Sequence, residues 1–252
     1  MTIEGAAARA RIVNEVVPLD RARQTPYKQC MTPTRRQFVA TGAALLVGAS
    51  ARAADKKDDD DEVSPTEDLM REHGILRRVL LIYGEALRRF DAQRELPAET
   101  LAHAATIVRE FIEDYHEKDE EEFIFPRFEK AHRLSELVAT LRAQHQAGRK
   151  LTADVLRLAT AAGLKSEATR KPLGESLRKF IRMYEPHAAR EDTVLFPAFR
   201  ALVGERELKR LQDVFEDKEK ALPHGGFEKM VDEVARLEQT LGIGDLATFT
   251  PT

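Results

Sequence analysis

Two histidine–glutamate pairs, each with three residues between its members, are the part of this sequence best suited to chemistry. They are His116 with Glu120 and His187 with Glu191. Each pair leads into the same pattern: an acidic residue, two variable residues, an aliphatic residue and Phe-Pro-x-Phe. Because residues four apart lie on one face of a helix, the imidazole and the carboxylate of each pair can reach the same metal ion.

These pairs belong to a longer repeat. A lone histidine precedes each pair, His73 the first and His145 the second, and the lone histidines are separated by almost the same offset as the pairs. An isolated pair of this kind is more often an exposed ion pair, but ion pairing leaves the two lone histidines unexplained. We interpret the repeat as an internal duplication of a two-helix unit.

Apolar spacing places these residues on the inward faces of their helices. His73, for example, falls in register with Leu69, Leu76 and Leu80. Buried carboxylates and imidazoles need compensating partners, and a cation provides one. Imidazole with carboxylate suits iron, zinc or manganese better than calcium. The candidate metal ligands are therefore His73, His116, Glu120, His145, His187 and Glu191.

Capping signals and helical periodicity predict four long helices. Ser64-Pro65-Thr66-Glu67 has the residues of a helix start. Helices are expected at 65–90, 98–125, 134–162 and 172–203, with interruptions near Pro126, Pro186 and Pro197 and ends at Gly163 and Gly204. Two shorter helices are expected at 205–221 and 227–241. No segment alternates as a strand does, so the predicted fold is all-α, an up-and-down four-helix bundle with extra C-terminal helices.

The N-terminal segment has the features of an export signal. Arg35 and Arg36 precede a short apolar stretch and an Ala-x-Ala cleavage frame that ends at Ala53. Residues 31–53 resemble a twin-arginine signal peptide, which predicts a periplasmic location and the twin-arginine export machinery as a partner. Residues 1–30 are expected to be an upstream extension, 54–63 an acidic linker, 64–204 the metal-binding bundle and 205–252 a C-terminal helical extension.

Composition limits the partners. The chain has 252 residues and a formal net charge of −3, which gives no general attraction to nucleic acid. No apolar run reaches the roughly 18 residues of a membrane-spanning helix, so no membrane partner is expected after processing. The single cysteine, Cys30, lies in the expected extension, so nitrogen and oxygen atoms alone would hold a metal.

The ordered motifs resemble the hemerythrin-like, or HHE cation-binding, family over residues from about 64 to 203. The resemblance implies a non-haem di-iron centre in which the four histidines are terminal ligands and Glu120 and Glu191 bridge the two irons. Zinc or manganese remain alternatives. Oxygen-carrying hemerythrins have a further histidine at the position of Arg149, so the resemblance does not extend to reversible oxygen carriage. Arg149 either attracts an anionic or peroxide ligand or faces solvent.

We therefore expect an exported protein that binds or senses a small ligand, which would be dioxygen, nitric oxide or peroxide. The alternatives are a di-iron redox enzyme that reduces peroxide or nitric oxide, and an iron storage or delivery protein. No electron donor is indicated. Tyr184 is expected to be a core tyrosine with a satisfied hydroxyl, His103 and His132 to lie at the surface, and His224 to lie in a turn.

Overall fold

The computed structural model describes residues 63–223 and 225–251, and within these residues it contains helices and no β-strand. The expected extension, the signal peptide, most of the acidic linker and His224 lie outside the described residues. The helices are α1 (Pro65–Asp91), α2 (98–130), α3 (Ser135–Leu158), α4 (Ala161–Lys165), α5 (167–203), α6 (Glu205–Lys220) and α7 (Phe227–Leu241), followed by a 3-10 turn at Leu246–Phe249. This arrangement confirms the predicted all-α bundle.

The first and the last two helices begin and end close to where the sequence predicts. The Ser64 hydroxyl accepts the Glu67 N–H, and Pro65 is the first helical residue of α1. Gly204 ends α5 with a φ of 74°, a conformation that glycine adopts without steric cost. At these positions the capping residues alone are sufficient to predict where a helix begins or ends.

Helix α2 continues through Pro126 to Lys130, so the predicted end near residue 125 is wrong. Wide π-helical segments at Val108–His116 and Glu120–Ile124 precede the proline. The N–H of Phe125 bonds to the carbonyl of Glu120, five residues back. The wider turn accommodates the proline ring without ending the helix.

Two further helix boundaries differ from the prediction. Helix α3 ends at Leu158, and Gly163 lies inside α4, because the Thr160 hydroxyl caps Gly163 N–H and starts a new helix. Helix α5 begins at 167, so Pro172 lies inside it, and Pro186 does not interrupt it either. Its change of geometry comes at the π-helical segment Glu191–Leu195, just before Pro197.

Two apolar clusters fill the core, one at each end of the bundle. On every long helix the candidate ligands lie between residues of the two clusters: on α1, His73 follows Leu69 of one cluster and precedes Ile75 of the other. Helix α7 packs on the outside of α1. None of the described helices combines the length and apolarity that a membrane crossing requires.

Candidate metal centre

The six candidate ligands meet in one layer of the bundle. The side chains of His73, His145, Glu120 and Glu191 are fully buried. His116 and His187 are at most 3% exposed. Each histidine comes from a different long helix, and the two glutamates come from α2 and α5. The structure therefore brings together every residue that the spacing singled out.

Each glutamate lies between histidines from both halves of the duplication. The Glu120 Oε2 atom is 3.8 Å from Nε2 of His116 and 3.4 Å from Nε2 of His145. The Glu191 Oε2 atom is 3.0 Å from Nε2 of His187 and 3.3 Å from Nε2 of His73. Such carboxylates are placed to contact two cations at once.

The donor atoms form two groups, each compact enough to surround one ion. One group contains Glu120, His145, His187 and Glu191, and the other contains His73, His116 and Glu120. All donor atoms of a group lie within 4.8 Å of one another. Because Glu120 belongs to both groups, the arrangement fits a pair of metal ions that share a ligand.

The hydrogen-bonding state of the glutamates also fits a cation. Within the described residues, both carboxylate oxygens of Glu120 and both of Glu191 are buried without a hydrogen bond of acceptable geometry. The Nε2 atoms of His73 and His145 are in the same condition. Leaving buried carboxylates unpaired is costly, and metal coordination would satisfy all of these atoms.

The charges at the centre interact strongly. Burial raises the pKa of Glu120 well above its usual range, and the nearby carboxylate of Glu191 raises it further. Burial would raise the pKa of Glu191 too, but its contacts with His187 and His73 hold that pKa well below its usual range. Burial and the neighbouring His73 lower the pKa of His116 well below its usual range. Two adjacent carboxylates of this kind are fully ionised together only beside a cation.

On the outer side, each imidazole is held at Nδ1 by one polar side chain, and we call these four residues the outer partners. His73 lies 2.7 Å from Asp192, His116 2.7 Å from Glu72, His145 3.0 Å from Glu121 and His187 2.9 Å from Gln144. A hydrogen bond at Nδ1 turns Nε2 toward the centre and fixes the tautomer that can bind a metal. Sequence reasoning did not identify these residues as partners.

Two arginines support two of the outer partners. Arg77 forms an ion pair with Asp192, and Arg149 lies 2.8 Å from Glu121. Each arginine comes four positions after a lone histidine, so Arg149 is the duplicate of Arg77. Arg149 lies on the Nδ1 side of His145 and also pairs with Glu117 at 2.9 Å. These carboxylates hold Arg149 behind the histidine, so the expectation of a solvent-facing residue is wrong, while its attraction for an anionic ligand stays a prediction.

The repeated Phe-Pro-x-Phe segments close the layer on one side. Phe196 stacks on His73 with ring centroids 5.7 Å apart, and Phe125 stacks on His145 at 5.4 Å. The π-helical segments that precede these phenylalanines begin at Glu120 and at Glu191. A π-helical turn at a functional residue is a recurrent feature of helical proteins.

A buried polar contact beside His145 has no equivalent beside His73. The Tyr184 hydroxyl donates to Glu117 at 2.6 Å, and burial raises the pKa of Glu117 to about 8. A Cβ atom at Gly148 would lie 2.0 Å from the Tyr184 hydroxyl oxygen, so only glycine leaves room for this contact. The duplicate of Glu117 is Ala188, and that of Gly148 is Leu76. Tyr184 is thus a core tyrosine with a satisfied hydroxyl, as the sequence indicated.

The remaining histidines lie away from the centre where the structure describes them. The His103 side chain is 46% exposed and pairs with Glu233, and His132 is exposed in the connection before α3. Both agree with the sequence-based expectation.

Comparison with known proteins identifies the family. The model of the hemerythrin HHE cation-binding domain matches residues 64–199 and again residues 136–243. The chain belongs to this family, and its buried histidine–glutamate cluster is compatible with the metal site that the family description names. The starts of the two matches are separated by the same offset as His73 and His145, which agrees with an internal duplication.

Curated relatives of the chain are found in mycobacteria. The chain is 47% identical over 191 residues to an uncharacterized protein from Mycobacterium bovis and to uncharacterized proteins from two strains of Mycobacterium tuberculosis. Each alignment covers 75% of this chain and 75% of the relative. No solved structure matches the chain.

Proposed function

We propose that this protein holds a non-haem di-iron centre and uses it to bind or sense dioxygen, nitric oxide or peroxide. His73 and His116 would be terminal ligands of one iron, and His145 and His187 of the other. Glu120 and Glu191 would bridge them. The observation that carries the proposal is the pair of buried glutamates whose oxygens lack hydrogen bonds and face histidines from both halves.

The chain would supply position and enclosure, and the irons would supply open coordination positions for a small ligand. The outer partners orient the imidazoles, and the stacked rings of Phe125 and Phe196 shield two of them from water. Imidazole and carboxylate suit iron, zinc and manganese alike, so the choice of iron rests on the di-iron centre that the resemblance to hemerythrins implies.

Metal analysis with an absorption spectrum, on protein purified anaerobically, tests this proposal. Two irons per chain are the expected result, and subsequent exposure to air should produce the charge-transfer bands of an oxo-bridged diferric centre. A chain that binds no stoichiometric iron under these conditions would contradict it.

A di-iron enzyme that reduces peroxide or nitric oxide is the second candidate. A buried polar contact favours it, because the Tyr184 hydroxyl donates to Glu117 at 2.6 Å and Glu117 lies 3.9 Å from His145 Nδ1, so groups able to carry a proton lie beside a candidate ligand. Stopped-flow mixing of the reduced protein with each oxidant separates the candidates. Binding or sensing gives one stoichiometric, reversible spectral change, whereas an enzyme gives catalytic turnover. An iron store or delivery protein would instead exchange its metal readily with a chelator while the bundle stays folded.

Export to the periplasm by the twin-arginine machinery is part of the proposal. It is supported by Arg35, Arg36 and the cleavage frame ending at Ala53. N-terminal sequencing of the exported chain should give Ala54 as the first residue. Lysine at both arginine positions should block export and leave the precursor in the cytoplasm on immunoblots of cell fractions. A mature chain that begins far upstream of Ala54 would contradict this part.

A further inference from the structure

The duplication repeats the contacts at Nδ1 with one chemical exception. Asp192 and Glu121 occupy equivalent positions, and each holds the lone histidine of the opposite half through a carboxylate. The residues before the lone histidines are also equivalent in position, but these are Glu72 in one half and Gln144 in the other. The two halves therefore differ here by a carboxyl group against a carboxamide.

The geometry of the two contacts is the same. Glu72 Oε2 lies 2.7 Å from Nδ1 of His116, and Gln144 Oε1 lies 2.9 Å from Nδ1 of His187. Glu72 is 2% exposed, whereas Gln144 is partly exposed at the rim of the centre. The two contacts thus differ in the functional group and in its burial, with the same ring nitrogen engaged on each side.

This difference changes what each histidine offers a metal. Coordination at Nε2 leaves the imidazole proton on Nδ1, where it is shared with the outer partner. A carboxyl group beside a cation can ionise and then accepts that proton more strongly than an amide oxygen, which stays neutral. His116 is therefore the more electron-rich ligand, and His187 is held by a neutral dipole alone.

We infer that the two metal positions are inequivalent, and that the position facing His73 and His116 binds iron more tightly than the position facing His145 and His187, because Glu72 stands where the other half has Gln144. The inference rests on the proposed di-iron function. Both histidines of the first position contact carboxyl groups, whereas the second position has one carboxylate and one amide.

The test is a chelator competition on the full chain loaded anaerobically with ferrous iron, with iron release followed against chelator concentration. The wild-type protein should release its two irons in separate steps whose affinities differ by about tenfold or more. His187→Ala should remove the weaker step and leave the tighter one.

Reciprocal substitutions assign the difference to this pair of residues. Gln144→Glu should tighten the weaker step by about tenfold, and Glu72→Gln should weaken the tighter step by a similar factor, so that each single variant brings the steps together. The double variant should separate them again in reversed order. Circular dichroism checks the folding of each variant. If the buried Glu72→Gln change prevents folding, Gln144→Glu alone still tests the inference, since Gln144 is partly exposed.

The outcomes distinguish the inference from the function on which it rests. A wild-type chain that binds fewer than two irons would overturn the di-iron proposal. Two irons released in a single step by the wild type, with no change in Gln144→Glu, would overturn the inference alone. A Gln144→Glu variant that binds its second iron more weakly than the wild type would also overturn it.

Discussion

Alanine at Glu120 or at Glu191 should cost the protein at least one of the two irons that we propose for its centre. Each carboxylate faces histidines from both halves, at oxygen-to-nitrogen distances between 3.0 and 3.8 Å. Removing either one deletes the ligand that two metal positions share, so the loss should exceed that of a single terminal ligand. Iron analysis and the absorption spectrum of each purified variant measure the result, with the bridge bands weakened or absent.

The matched control is Glu122→Ala. Glu122 lies on the same helix and in the same π-helical segment as Glu120, but its side chain is 62% exposed and pairs with Lys218. This variant should keep two irons and an unchanged spectrum. If Glu120→Ala and Glu191→Ala also keep both, the two glutamates are not the bridging ligands, and the assignment of the centre would have to be withdrawn.

The six candidate ligands could be predicted because they are polar residues at helix positions that otherwise hold apolar core residues. A histidine at an apolar register such as that of Leu69 and Leu76 needs a partner in the core, and the repeat at His145 shows that it is not accidental. Residue type, helical spacing and duplication therefore agree on the same six residues. The structure adds that their donor atoms converge into two groups that share Glu120.

The outer partners could not be assigned in the same way, because their contacts cross between helices. Asp192 meets His73 across 119 residues, and Glu72 meets His116 across 44. No local pattern specifies which carboxylate reaches which imidazole. The repeat itself does mark two of the outer partners, since an acidic residue directly follows each candidate bridging glutamate in both copies.

Arg149 shows why a family pattern and an internal repeat can lead to different interpretations. Compared with oxygen-carrying hemerythrins, it stands where a ligand histidine would be. Compared with the first half of this chain, it is the counterpart of Arg77, and both arginines bind the carboxylate behind a lone histidine. The internal comparison explains the observed contacts, because it concerns residues in the same local surroundings.

The sequence predicts helix boundaries correctly where one local cap decides them and incorrectly where two local signals compete. The Ser64 cap and the turn at Gly204 are examples of the first kind. Gly163 has the residue type of a helix end, but the Thr160 hydroxyl starts a helix there instead. The π-helical segments have no sequence signal of comparable strength.

Removal of the metal should destabilise the bundle, and by more at high pH than at low pH. A cation that binds only the folded chain adds about 4 kcal/mol of stability at a free concentration a thousand times its dissociation constant. Burial raises the pKa of Glu120 well above that in the unfolded chain, so the metal-free fold retains a proton that the unfolded chain releases. Stability of the metal-free protein should therefore fall as the pH rises above about 4.5 toward the raised pKa.

The metal-loaded protein should not share this fall, because coordination keeps Glu120 ionised. Glu191, whose pKa is held low, stays ionised across the same range and adds no slope. Urea unfolding at pH 6 and pH 8, with and without iron, measures the four free energies, and the stabilisation by iron should be larger at pH 8. Glu120→Gln supplies the control, since its metal-free form should lose the part of the pH dependence that Glu120 contributes, while Glu117, whose pKa burial raises to about 8, keeps its own part. Equal stabilisation by iron at both pH values would show that Glu120 carries no proton for the metal to displace.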